Sequence, residues 1–339
     1  MKISRAEIPA NGVRSLVWQG DALVDWVAGG TIFDLDGKSK PSRVNWAYPF
    51  DAACATPDGR YAIIYQRCGT KALLLRDGKL LRELNRSFYQ AHVYEYPICI
   101  WRTENGRTLI AHCPEDYRRI DIEDADTGVR LTQGERKPAD FFHSRLMVNQ
   151  TGTRLLSAGW IWHPFSAVIY YDIAEALRNS KHLDSMDTTA PGSRNVAFAE
   201  EESACWQTAE RVLLGGGSEE DSVLDAEDAA IEPRLHARGI AVYDVLTRTY
   251  LKSIVLDEIA GTMMPVGEEH AVCFCGDPRL VSLDSGQVLS RWDDLDTGKT
   301  ASSIIWNATI PPLATDAANR RFAVYHEGRI TVIRIDPSE

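Results

Sequence analysis

The chain has 339 residues, 44% of them apolar and 25% charged, which is enough to bury a substantial core in a globular protein. Its 48 acidic and 37 basic side chains leave a net charge of −11. That excludes nucleic acid as a main partner, because phosphate binding needs clustered Lys and Arg, while it suits solubility and equally a basic protein partner.

The N-terminal MKISRAEIPANG has no apolar core of signal-peptide length, and no segment approaches ~18 consecutive apolar residues. Neither a leader nor a membrane span is expected. Cys54, Cys99, Cys205, Cys273 and Cys275 lie in apolar runs, with Cys68 and Cys113 near strand ends. An odd count so placed reads as reduced, buried thiols in a cytoplasmic protein.

Seven short β-type runs end in aspartate, at Asp36, Asp77, Asp124, Asp172, Asp244, Asp284 and Asp336. Their spacings are 41, 47, 48, 72, 40 and 52 residues. A period of roughly 40 to 50 residues, each copy holding several short strands, predicts propeller blades. Residues 2–9 form a strand left over at the start, and 13–36 supply three strands of blade 1.

Residues 50–84 read as a complete blade: strand, Pro-Asp-Gly turn, strand, Gly turn, strand, Asp-Gly turn, strand. The same order recurs through blades 3 to 7. The long spacing before Asp244 contains two insertions, about 173–193 with a short helix, and about 216–236 with the acidic run 218–232. Only three residues follow Asp336, so blade 7 lacks a fourth strand that residues 2–9 can supply, removing an open edge. The expected fold is therefore all-β: one seven-bladed propeller over 1–339, built of four-stranded antiparallel blades and closed by the N-terminal strand.

RRIDIEDADTGVRL, with Asp124 and its Asp-x-Thr-Gly turn, resembles the strand-and-turn segment of WD-repeat propellers, and TPDGRYAIIY (56–65) resembles their Ser-Pro-Asp-Gly-Arg turn. The chain looks like a divergent, bacterial-type WD-like propeller. It departs from the family in lacking a Trp-Asp pair at any third strand and the Gly-His pair that opens such repeats. The resemblance implies a scaffold and no enzyme activity.

Catalytic strings fail on context. Asp126-Thr127-Gly128 is a turn after a third strand, and Asp296-Thr297-Gly298 lies in a loop between blades. Neither offers paired carboxylates in apposed loops. Gly298-Lys299-Thr300 lacks the earlier glycine and the following helix of a phosphate loop. Cys273 and Cys275 have no second pair to complete a metal site and read as packing residues. No cofactor is expected.

In a propeller, the connections between blades and the loops joining second to third strands share one face. Here that face collects 43–50, 85–97, 139–145 and 159–165. The candidate binding residues are Trp46, Tyr48, Phe88, Tyr89, His92, Tyr94, Tyr96, Phe141, Phe142, His143, Trp160, Trp162 and His163. Rings with one polar edge suit a surface that is apolar and hydrogen-bonding at once. The same rings would also suit loops that pack on themselves over the channel, and both readings stand at this point. A metal reading of His92, His143 and His163 with Glu95 competes with ordinary hydrogen-bonded histidines.

The leading function is a non-enzymatic protein-interaction module on blades 1 to 4, assisted by the acidic loop as a docking arm. An acidic neutraliser of a basic toxin is one special case. A hydrolase or lyase over the channel, and a small-molecule or glycan binder, are the alternatives.

Overall fold

The computed structural model describes residues 1–162, 165–186, 194–199, 202–218, 232–306 and 308–336, with the side chains of 194–199 and 202 left aside. The strands form seven antiparallel sheets. Blade 1 is Val17–Gln19, Ala22–Asp25, Thr31–Asp34 and Ser39–Lys40. Blade 2 is Ala52–Ala55, Tyr61–Tyr65, Lys71–Arg76 and Lys79–Asn85. Blade 3 is Ile98–Arg102, Thr108–His112 and Asp121–Asp124. Blade 4 is Met147–Val148, Arg154–Trp160, Ser166–Asp172 and Arg194–Ala199.

Blade 5 is Glu202–Trp206, Arg211–Gly216, Gly239–Asp244 and Thr249–Val255. Blade 6 is Met263–Val266, His270–Cys273, Arg279–Ser282 and Val288–Arg291. Leu313–Asp316, Arg321–His326 and Arg329–Asp336 make blade 7, and Lys2–Pro9 adds the fourth strand, Lys2 opposite Asp336 and Pro9 opposite Arg329. The seven-bladed fold expected from the repeat, with its N-terminal closure, is the fold observed.

Each blade is covered by a neighbour on both faces, so its middle strands are apolar throughout rather than alternating. Every residue of Tyr61–Tyr65 is buried. Ile63 and Leu74 of blade 2 pack with Ile98 and Ile110 of blade 3, and Cys205 and Leu213 of blade 5 with Met263 and Cys273 of blade 6. Cys273 is thus a small packing residue. All seven cysteines are free. Burial pushes the Cys54, Cys205 and Cys273 thiols up to about 12, which keeps them unreactive.

The aspartate signature divides into two registers. Asp124 and Asp244 end their strands, and Oδ1 of each accepts from the backbone N–H and hydroxyl of a threonine three residues on, Thr127 or Thr247. Asp172 ends its strand too, and caps the helix Ile173–Arg178 by accepting from Glu175 N–H. Blade 6 uses Ser282 for this task, accepting from the N–H groups of Asp284 and Ser285, so Asp284 falls two residues late. In blade 1 the strand ends at Asp34, and Asp36 sits in the turn. Such side-chain-capped turns let a short strand reverse with its backbone groups satisfied.

Blade 3 departs from the four-strand pattern. Its last strand shrinks to a bridge between Glu123 and Arg130 flanked by Asp124 N–H to Val129 O at 3.0 Å and Leu131 N–H to Ile122 O at 2.8 Å. The third strand is charged where others are apolar, since Asp121 and Glu123 are buried at 0% and 4% exposure. Arginines cover it: Arg119 lies 3.2 Å from Asp121, Arg82 2.9 Å from Glu123, and Arg130 within 4 Å of both. Among the described residues no helix is long and apolar enough to cross a membrane.

Candidate functional site

Two loops of the aromatic face meet across the channel. Residues 86–97, between blades 2 and 3, pair with 303–305, between blades 6 and 7. Glu95 N–H donates to Ser303 O at 3.1 Å and Ile305 N–H to Val93 O at 2.9 Å, on either side of a Tyr94–Ile304 bridge. The result is a strap over the channel mouth.

Arg86 holds the strap. Its Nε donates to Gly69 O at 2.7 Å, Nη2 to Ala91 O and Tyr94 O at 2.6 and 3.0 Å, and Nη1 to Glu95 O at 3.4 Å. The guanidinium lies 4.5 Å from the Tyr94 ring centroid and 4.8 Å from that of Tyr96. A planar, multi-donor cation can serve several carbonyls and two ring faces at once, which lysine cannot.

Beside the strap the rings form a stack. Trp160 and Phe142 lie 3.8 Å apart at 9°, and Phe142 and Tyr117 4.0 Å apart at 18°. Tyr89 continues it at 5.3 Å from Tyr117, and Trp162 flanks it at 5.7 Å from Trp160. Tyr94 meets Phe142 edge-on at 5.6 Å. Ile304 of the strap packs on the same cluster. Offset and edge contacts of this kind add to plain area burial.

The candidate residues fall into layers. Tyr94, Phe142 and Trp160 are buried together and form the support, while Tyr96, Phe141 and His143 are buried elsewhere, Tyr96 in the core between blades 2 and 3 and Phe141 in that between blades 3 and 4. Trp46 is half-buried, with Nε1 donating to Trp26 O at 3.3 Å. Tyr48, Phe88, Tyr89, His92 and Trp162 are exposed, Phe88 at 84% and Trp162 at 49%. His163 lies outside the described residues, as does 219–231 of the acidic insertion. The sequence predicts Trp160 in the loop 159–165, but it ends the strand Arg154–Trp160, because Phe142 N–H and C=O pair with it and extend the ladder.

His143 and His92, the two described candidate histidines, have different settings. His143 is fixed between two partners, Nδ1 3.1 Å from Ser157 Oγ and Nε2 3.0 Å from Arg118 O, so Nε2 carries the proton. Burial pushes its imidazole down to about 3, and the ring is neutral. His92 is exposed on the strap. Among the described residues no group of three His, Cys, Asp or Glu side chains is placed to hold a metal ion.

Sequence reasoning missed Tyr117, in the loop joining the second and third strands of blade 3, and Trp306, 63% exposed just past Ile304. The face rule covers both loops. Tyr117 was hidden in a charged segment, and Trp306 in a blade remote from the aromatic cluster.

Beneath the strap the channel holds a cavity of about 460 Å³, lined by the first strands of blades 2 to 7. The Glu95 carboxylate, hanging from the strap, lies 3.2 Å from Arg67 Nη1 and 3.2 Å from Arg145 Nε.

Fold and face together define a β-propeller whose channel is roofed by aromatic loops. Solved structures share the propeller fold. A chain of "Crystal Structure of Mitotic Checkpoint Complex" aligns with TM-score 0.58 and 11% identity over 97% of this chain and 90% of that one. The Myceliophteria thermophila Cps50 (Swd1) β-propeller domain aligns with TM-score 0.58 and 11% identity over 98% and 100%. Kuenenia stuttgartiensis hydrazine synthase aligns with TM-score 0.57 and 12% identity over 96% of each. At such identities the likeness shows the fold alone. No protein-family profile matches the chain, and no curated protein matches it.

Proposed function

We propose that the protein is a non-enzymatic interaction module that binds a protein segment across Phe88, Tyr89, Trp162 and Trp306. One observation carries this reading: the exposed rings of Tyr89 and Trp162 sit on a stack made of buried Trp160 and Phe142 and half-buried Tyr117, which holds that part of the surface in place. Pre-ordered aromatic anchors lose little freedom on binding, which lowers the side-chain ordering cost of association. Scattered exposed apolar residues need no explanation, but aromatic side chains gathered over one face by three loops do.

A segment with basic residues fits best. The chain carries −11, and the insertion at 218–232 holds seven of its acids. Long-range attraction of that kind speeds encounter more than it tightens the complex. A propeller occurring within a mitotic checkpoint complex gives general support to use of the fold in assemblies.

The test is affinity capture from the source cell's lysate with wild type and a Phe88→Ala/Trp162→Ala/Trp306→Ala variant of matching melting temperature. A protein retained by wild type and lost by the variant is the expected result. Equal retention by both would remove the aromatic face from the binding site.

A further inference from the structure

The cavity under the strap has a chemical character of its own. Arg67 and Arg145 are two cations among its lining residues, and Glu95 is the one acid there. Glu95 Oε1 faces Arg67 Nη1 and Oε2 faces Arg145 Nε. The remaining N–H groups of both guanidinium ions meet no other acceptor among the described residues. One carboxylate therefore serves two forks, each of which can bind a carboxylate in bidentate fashion.

The two arginines are held in place by their backbones. Arg67 N–H donates to Asp51 Oδ1 at 2.7 Å, and Arg67 C=O accepts from Tyr96 N–H at 2.8 Å. Arg145 takes a φ of 44°, a left-handed conformation unfavourable for a residue with a side chain, next to Ser144, whose Oγ donates to Glu95 O at 2.8 Å. Strain of this kind persists where the surroundings over-determine a side chain's position.

The rest of the wall is apolar with hydroxyls. Ile98, Leu146, Val148 and Met263 line it together with Thr262 and Thr315. Asn149 and Thr315 adjoin the turns on the face opposite the strap, so the cavity extends toward that face. A volume of about 460 Å³ falls in the range of small-ligand sites, roughly 300–1,000 Å³.

We propose that the channel is a binding site for a small organic acid, its carboxylate on Arg67 and Arg145 and its carbon body against Ile98, Leu146 and Met263. The excess cation selects a negative head group. The apolar wall selects a hydrocarbon body over a bare inorganic ion. This site lies below the strap and does not rest on the aromatic-face reading.

Calorimetric titration of the full chain with benzoate tests it, with neutral benzamide and inorganic phosphate as separate arms. Benzoate should bind saturably at one site, benzamide at least about tenfold more weakly, and Arg145→Gln should weaken benzoate by about tenfold with its melt unchanged. Absence of saturable benzoate binding below about 10 mM overturns the site. So does benzamide binding equal to benzoate, or an Arg145→Gln variant that binds as wild type does. Phosphate binding without benzoate binding overturns the organic body. Should Arg145→Gln fail to fold, Arg67→Gln takes its place, and the acid-against-amide contrast on wild type decides alone.

Discussion

Trp160 and Trp162 differ by two positions in sequence and by nearly the whole side chain in exposure, 3% against 49%. Trp160 is the last residue of a strand and lies flat on Phe142, whereas Trp162 stands in the loop beyond. Truncating Trp160 to alanine removes the buried ring between Phe142 and Trp162 and should cost about 3–5 kcal/mol. Trp162→Ala should stay within about 0.5 kcal/mol, as surface changes usually do. Paired urea melts check both, and a large loss at Trp162 would show that it is part of the packed core. The sequence expects both rings in one loop of blade 4. It could not divide them, because burial depended on how far Phe142, eighteen residues away in the chain, extended the ladder. Arg86 was invisible for the same reason: nothing local marks an arginine that will be surrounded by carbonyls from Gly69 to Glu95.

At the level of single elements, blade 3 shows what the repeat hid. Asp124 was legible as a strand end, but the run before it, Asp121 to Glu123, resembles a surface strand and is instead buried among arginines. That burial gives the blade a pH dependence. Burial pushes the Glu123 carboxyl up, but His112 at 3.1 Å and Arg82 at 2.9 Å outweigh it and hold it down to about 2. An unfolded Glu takes its proton near 4.5, so the unfolded chain binds more protons between these values. The stabilisation is present above about 4.5 and lost as pH falls toward 2. His143, in the connection from blade 3 to blade 4, acts in a higher window. Buried and neutral down to about 3 against an ordinary 6.5, it too leaves the unfolded state richer in protons, and stability falls with pH from 6.5 downward. Each group contributes a slope approaching about 1.4 kcal/mol per pH unit inside its window. Urea midpoints should therefore fall from pH 6.5 to 5 in wild type and fall less in His143→Asn. Parallel profiles would mean that His143 is not the group titrating there.

For the whole molecule the decisive feature is closure. Six blades are made from consecutive strands, whereas blade 7 joins the two ends of the chain, with eight residue pairs linking Lys2–Pro9 to Arg329–Asp336. Ile8 is fully buried in the seam, within a cluster that also holds Leu23 and Phe33 of blade 1. This was legible from a residue count alone, because a ring cannot leave a strand over at one end and lack one at the other. Deleting residues 2–9 unpairs the outer strand of blade 7 and exposes a sheet edge. It also uncovers Ile8's neighbours on blade 1, so the loss spreads across the seam rather than staying in one blade. A drop in melting temperature of about 10 °C or more is expected, since each kcal/mol lost moves the melt of a large domain by about 2–4 °C and the seam loses several kcal/mol. A peptide of residues 1–10 added in excess should bind the truncated ring and restore part of the loss, because a ligand that binds only the folded state stabilises it by mass action. An unchanged melt on deletion would show that the ring holds without its N-terminal strand. A lowered melt that the peptide leaves untouched would place the effect in residues 10–16 next to the seam instead of in the strand pairing itself.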